Sequence, residues 1–307
     1  MRKKVVIGTR GSQLARWQAN WAQTRLQQLN PGLEVELKII STRGDRELGL
    51  SLPKLGEQGK GLFTKELEDE MLAGSIDIAV HSLKDLPTEM TAGLEIAAIS
   101  EREDVRDALV ARKGISSFDD LPTGARVGTS SLRRQAQIRA RRGDLALDAI
   151  RGNVDTRVRK VEDGGFDAVV LASAGLRRLG YEQRITESLD ADFILPAVGQ
   201  GALAIEARTG DSEISRIIAP LNHKETEVAC RAERAVLLGL GGGCLVPIAA
   251  LAVVDGDRLQ IRGLVASPDG SAIIRDEASG EAASPETVGD RLARALLAKG
   301  AARLLKA

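Results

Sequence analysis

Asp77-Ile78-Ala79-Val80-His81-Ser82-Leu83-Lys84-Asp85-Leu86-Pro87 is the stretch that decides how this chain is read. Ile78 to Val80 is a short apolar run, which predicts a buried strand, and polar residues follow it at once. Pro87 cannot continue a hydrogen-bonded ladder, so regular structure stops there. In an open α/β sheet, ligands bind beyond the carboxyl ends of the strands. Lys84 and Asp85 fall in that position, a cation beside a carboxylate on a short loop. The same spacing also fits a surface turn in which Asp85 caps the next segment. The rest of the chain has to decide between them.

Working outward, Val5 to Gly8 predicts a strand and Thr9-Arg10-Gly11-Ser12 the turn after it. Ser12 then caps a helix carrying Leu14, Trp17, Trp21 and Leu29 on its apolar face. Val35, Leu37 and Ile39 alternate as in a half-buried strand. Thr42 to Gly61, which includes Lys54 and Lys60, is a polar connection long enough to be functional or a mobile lid. A helix is expected over Phe63–Leu72 and a strand over Leu94–Ile99. Glu101-Arg102-Glu103-Asp104 lacks any apolar anchor and suits a hinge between domains.

Strand, turn and helix then recur, first through Ala125–Gly128 and Thr129-Ser130-Ser131, then from Leu145 through Arg151-Gly152-Asn153. Asp167–Ala172 predicts one more buried strand. This alternation argues for two doubly wound α/β domains. Ala202–Ala207 predicts a returning strand and Leu221–Leu238 a helix, ended by Gly239-Leu240-Gly241-Gly242-Gly243-Cys244. Beyond it, strands at Ile248–Val254, Arg258–Ala266 and Ala272–Asp276 and a helix over Pro285–Leu305 describe a small α+β domain. The expected division is 1–101 with 196–220, 102–195, and 221–307.

Composition narrows the function classes. The 307 residues are 43% hydrophobic and 28% charged, as in an ordinary globular protein. Formal net charge is zero and aromatics are 2%, a poor basis for a nucleic-acid or membrane partner. The apolar run after Met1-Arg2-Lys3-Lys4 is too short for a signal peptide, which predicts a cytoplasmic protein. Cys230 and Cys244 form no CxxC pair, and His81 and His223 are far apart, so no metal site and no Ser-His-Asp triad is expected. By elimination, acid–base work falls to carboxylates, and Asp85 is the best placed of them.

Charge is not evenly spread. Residues 126–160 hold ten Lys or Arg against three acids, a local excess of +7 in a neutral chain. Thr129, Ser130 and Ser131 begin a helix, where free N–H groups favour an anion. Arg133 and Arg134 stand in its first turn, where the dipole disfavours a cation unless an anion is near. Arg151 and Arg157 flank the next helix start, and arginine's fork suits carboxylates and phosphates. Arg139, Arg141 and Arg142 read as a solvated face. A helix-turn-helix DNA reader is the alternative for this basic stretch, and it would show steep salt dependence. Cys244, among glycines, is open to a nucleophilic or attachment role, or is simply a small buried hydrophobe like Cys230.

The chain resembles the porphobilinogen deaminase (hydroxymethylbilane synthase) family over essentially its whole length. The resemblance rests on Thr9-Arg10-Gly11-Ser12, Gly59-Lys60-Gly61-Leu62-Phe63-Thr64-Lys65-Glu66-Leu67-Glu68, Ala79-Val80-His81-Ser82-Leu83-Lys84-Asp85 and Glu101-Arg102-Glu103-Asp104. It continues through Val127-Gly128-Thr129-Ser130-Ser131-Leu132-Arg133-Arg134, Leu195-Pro196-Ala197-Val198-Gly199-Gln200-Gly201 and Gly242-Gly243-Cys244.

The resemblance implies a transferase of tetrapyrrole (heme) biosynthesis that joins four porphobilinogen units head to tail into hydroxymethylbilane, releasing ammonia. It implies a dipyrromethane cofactor fixed by a thioether to Cys244, and Asp85 as catalytic acid and base. Lys84, Asp85, Thr129, Ser131, Arg133, Arg134 and Arg157 are implied as cofactor-binding residues, with Arg10, Ser12, Lys60, Arg151, Arg157 and Gln200 toward substrate. The connection Lys54-Leu55-Gly56-Glu57-Gln58-Gly59-Lys60 is longer than the family pattern, which leaves Lys54 and Lys60 as rivals; Lys60 has the intact motif. The implied fold is two periplasmic-binding-protein-like domains plus the α+β domain, in a monomer whose partner is a small molecule. A non-catalytic anion binder on the same fold is the rival reading.

Overall fold

The computed structural model describes residues 2–42, 64–242 and 246–305. Lys54, Lys60, most of the expected lid and Cys244 therefore lie outside the described residues. Among the described residues thirteen strands follow in order: β1 Lys4–Thr9, β2 Glu34–Ile39, β3 Ile78–Ser82, β4 Leu94–Ile99, β5 Asp107–Ala111, β6 Arg126–Gly128, β7 Ala146–Asp148, β8 Ala168–Ala172, β9 Glu187–Leu189, β10 Leu203–Arg208, β11 Ile248–Asp255, β12 Arg258–Ala266 and β13 Ile273–Glu281. The chain divides into two compact units, Met1–Arg102 with Ala202–Glu227, and Glu103–Gly201 with Val228–Ala307.

The first unit is built on a five-stranded sheet in the order β2-β1-β3-β10-β4. β1 runs parallel to β2 and β3, whereas β10 runs antiparallel to β3 and β4. The alternation of β3 explains its two-sided burial. Ile78 and Val80 face the core made with Ala19, Ala22 and Leu26 of the helix Gln13–Leu29, while Ala79 joins Leu67 and Met71 of the helix Lys65–Leu72 on the other side. Ser12 caps the first of these helices, accepting from the Ala15 N–H at 3.3 Å. At the amino end of β3, Asp77 accepts from the Val6 N–H at 2.8 Å and pairs with Arg2 and Arg208.

The second unit holds two sheets. One has the order β7-β6-β8-β5-β9, with β6 parallel to β7 and β8, and β5 antiparallel to β8 and β9. This repeats the pattern of the first unit, so the α/β class holds with mixed sheets. The other is the antiparallel β11-β12-β13, backed by the helix Pro285–Ala298 through Val288, Leu292 and Leu296. Its opposite face places Leu251 and Leu264 against Ala136 and Leu195.

Three sequence expectations are corrected. β5 and β9 were not anticipated, because the charged run Glu101–Asp104 masks the apolar Ala108-Leu109-Val110 just past it. β13 runs on to Glu281 rather than ending at Asp276. Past Asp276 its residues alternate exposed and half-buried, with Ala278 the one packed on the core, and pairing with β12 rather than a continuous apolar run sets its length. The helix expected from Phe63 is assigned from Lys65.

Within the second unit, fully buried Glu233 accepts the Gly199 N–H at 2.7 Å and the Ala252 N–H at 2.9 Å. It thereby ties the loop before β10, where Gly199 takes φ 71°, to β11. Glu233→Ala leaves two buried N–H groups without their acceptor and opens a void. We expect about 3 kcal/mol of lost stability in urea denaturation. An unchanged midpoint would show that Glu233 does not clamp the two segments.

Candidate active site and its carboxylate receptors

In the first unit, the expected site residues gather at one sheet edge because β1 and β3 are parallel neighbours, with Ile7 opposite Ile78 and Gly8 opposite Ala79. Arg10 and Ser12 follow the end of β1. Lys84 and Asp85 follow the end of β3 in a single 3₁₀ turn, Leu83–Asp85. Leu83 and Leu86 on either side are 1% and 2% exposed, and the Leu83 N–H donates to the Ala202 carbonyl at 3.0 Å. Buried leucines thus pin the turn while Asp85 itself stands exposed. The Gln18 amide donates to Ser82 Oγ at 2.8 Å, joining the first helix to the last residue of β3. One residue back, buried His81 Nε2 lies 3.1 Å from Glu206 Oε2 on β10.

In the second unit, Thr129 is buried just past β6, and the Ser131 N–H donates to its Oγ1 at 3.3 Å. Ser131 is the N-cap of the helix Leu132–Arg141, with no capping bond from its side chain. Arg157 Nε donates to the Gly152 carbonyl at 2.8 Å, and Lys160 Nζ to the Arg151 carbonyl at 3.3 Å. The outer arginines pair locally, Arg141 with Asp119 and Arg142 with Asp144, as a solvated face does.

Arg133 and Arg134 have an anion of their own. Both are buried, and both meet Asp107, the first residue of β5. Arg133 Nη2 reaches Asp107 Oδ2 at 2.8 Å and Arg134 Nη2 reaches Oδ1 at 2.7 Å. Arg133 Nη1 also donates to the Leu195 carbonyl at 2.7 Å, and Arg134 Nη1 to the Val170 carbonyl at 3.0 Å. Gln200 Nε2 completes the group with bonds to Asp107 Oδ1 at 2.9 Å and the Val105 carbonyl at 2.7 Å. Burial alone would raise the pKa of Asp107, but the charges of Arg133 and Arg134 outweigh it and hold the carboxyl well below its usual range. Burial pushes Arg133 down from the ordinary arginine value.

Two groups escaped the sequence reading. Asp107 is one. The other is Arg178, whose Nη2 donates to the Gly201 carbonyl at 2.6 Å. Burial lowers its pKa to about 10 against the opposing charge of Glu103. The rule that singled out Lys84, a cation just past a strand's carboxyl end, would have found Arg178 six residues beyond β8. Among the described residues no cluster of His, Cys, Asp and Glu can hold a metal, and no helix is long and apolar enough to cross a membrane.

Comparison with known proteins decides what this assembly belongs to. Residues 5–216 match the family model described as "Porphobilinogen deaminase, dipyromethane cofactor binding domain", and residues 228–298 match "Porphobilinogen deaminase, C-terminal domain". The chain belongs to the porphobilinogen deaminase family. The porphobilinogen deaminase of Pelobacter propionicus is 52% identical over 304 residues, covering 99% of this chain and 97% of that one. That of Geobacter metallireducens is 53% identical over 303 residues, covering 99% and 94%. Among solved structures, the periplasmic aliphatic sulphonate binding protein SsuA from Escherichia coli covers 78% of this chain and 70% of its own at 15% identity and TM-score 0.42.

The residues of the second unit fit the cofactor that a porphobilinogen deaminase domain binds. Arg134 Nε is buried and has no hydrogen-bond partner among the described residues. Two guanidiniums also face one carboxylate, so among the described residues the cluster retains one uncompensated positive charge. A buried donor and a buried net charge both call for an anion.

Proposed function

We propose that Asp85 is the acid–base group and Cys244 the covalent anchor in the reaction this chain performs. As a member of the porphobilinogen deaminase family, the chain is a transferase that joins four porphobilinogen molecules head to tail into hydroxymethylbilane with release of ammonia. When bound, the dipyrromethane would supply the terminal pyrrole to which the first porphobilinogen unit is joined, each later unit then joining the pyrrole added before it.

The observation that carries the residue assignment is the placement of Asp85: an exposed carboxylate on a turn pinned by Leu83 and Leu86, past the end of a strand. A rigid, solvent-facing carboxylate can hold a proton for the departing amine nitrogen. It can then accept the proton released from the pyrrole carbon once the new bond is made, and its negative charge steadies positive charge developing between those events. Arg10 and Ser12 near it suit acetate and propionate groups of the substrate, and Lys84 beside it those of the cofactor. In the second unit, Thr129, Ser131, Arg133, Arg134 and Arg157 suit the cofactor's carboxylates, with Arg151, Arg157 and Gln200 toward the growing chain. Lys60 and Cys244 complete the reading on the strength of their intact motifs. Each pyrrole adds two carboxylates, which suits the part of the charge excess of residues 126–160 that Asp107 and Asp119 leave unmatched. Three sheets, one in the first unit and two in the second, support a division into 1–101 with 196–220, 102–195, and 221–307. A cytoplasmic monomer acting on a small molecule, with no nucleic-acid partner, belongs to the same reading.

Brief mixing with porphobilinogen followed by intact-mass measurement tests it. A covalent ladder is expected, rising by successive pyrrole units above the resting mass. A single mass, with porphobilinogen held reversibly, would reject the transferase and favour an anion binder.

A further inference from the structure

We propose that Asp107 is a positioning residue for cofactor binding, setting both the orientation of Arg133 and Arg134 and the single positive charge they retain. The inference rests on the assignment of these arginines to the dipyrromethane. The carboxylate is fully buried and its two oxygens meet three donors: Arg134 and Gln200 at Oδ1, Arg133 at Oδ2. Each arginine is fixed at a second point by a backbone carbonyl, Leu195 for Arg133 and Val170 for Arg134. Neither guanidinium can therefore turn away without breaking both of its anchors. The Arg134 Nε–H is the donor left over.

Charge counting gives the cradle its selectivity. Two cations at burial this deep, with no acid between them, would repel each other and oppose folding before any cofactor arrives. Two acids would neutralise them and remove the attraction for a ligand carboxylate. One acid leaves the cluster at +1, stable enough to fold empty and still short of one anion. The cradle is thus matched to one carboxylate, taken at the Arg134 side. Gln200 tunes the same balance as a neutral donor in contact with Asp107, where an acid would close the site.

The position of Gln200 supplies the test, because the acid and the amide can be exchanged. Asp107→Asn removes the charge at constant shape, and Asp107→Asn with Gln200→Glu returns it to the neighbouring position. The readout is the fraction of purified chains whose intact mass includes two linked pyrrole units, with thermal unfolding recorded beside it. The parent protein must carry that mass; if it does not, the cofactor reading itself fails and Asp107 is not at issue. With a loaded parent, Asp107→Asn is expected to load at least about tenfold less, the scale set by unpairing a buried charge. The exchanged pair is expected to recover most of the loading. Full loading of a folded Asp107→Asn protein would overturn the proposal, and so would an exchanged pair that folds but stays unloaded. If Asp107→Asn does not fold, the exchanged pair alone decides: folded and loaded supports the role of the charge, folded and unloaded rejects it.

Discussion

Asp85→Asn is expected to lower kcat by roughly three orders of magnitude, within the range a positioned acid–base group contributes. The amide keeps the size of the side chain and its place on the pinned turn, so packing around Leu83 and Leu86 should be undisturbed. It can neither supply the proton the leaving amine needs nor take up the one released from the pyrrole carbon. It also withdraws the fixed negative charge from the region where positive charge develops. Asp85→Glu restores charge and titration but moves the carboxylate outward by a methylene. A misplacement of that size costs about a hundredfold when the turn cannot adjust, and burial of the flanking leucines limits adjustment here. Single-turnover rates, normalised to the chains that carry the cofactor by mass, separate this from any failure to load. KM should move much less than kcat, since the groups proposed to bind the substrate carboxylates are other residues. An Asn variant within tenfold of the parent would transfer the acid–base role elsewhere.

The site was legible in the sequence where it is local. The turn after β3 announces itself, because an apolar run, two charges and a proline lie within eleven residues. The partner of Arg133 and Arg134 does not, because Asp107 lies twenty-six positions before Arg133 and only the pairing of β5 with β8 brings it under the helix start. The helix dipole argument correctly required an anion near those arginines; it could not say that the chain supplies one itself. Fold class was legible for the same reason that strand direction was not. Alternating apolar runs and helices specify α/β layers, yet a buried antiparallel strand such as β10 or β5 carries a short apolar run like those of the parallel-paired strands in its sheet. Direction is set by where the chain returns, which no local pattern encodes.

Cys244→Ser is expected to abolish both the resting mass increment of two pyrrole units and all turnover. A cysteine is partly thiolate near neutral pH and strongly nucleophilic, whereas a serine hydroxyl without a neighbouring base is neither. Among glycines there is no side chain adjacent in sequence to serve as that base. The second cysteine cannot substitute. Cys230 is fully buried in the helix Lys224–Gly239, beside Ala229 and Ala232, out of reach of a reactant in solvent. Cys230→Ser therefore keeps the mass increment and activity, apart from a modest loss of stability from placing a hydroxyl in that core. The contrast between two single-atom changes separates attachment from general thiol chemistry. If Cys244→Ser retained the increment, the anchor would lie elsewhere in the chain. If the increment were lost but turnover persisted, the primer would not need to be covalent, and the carboxylate receptors around Arg133 and Arg134 would have to hold it unaided.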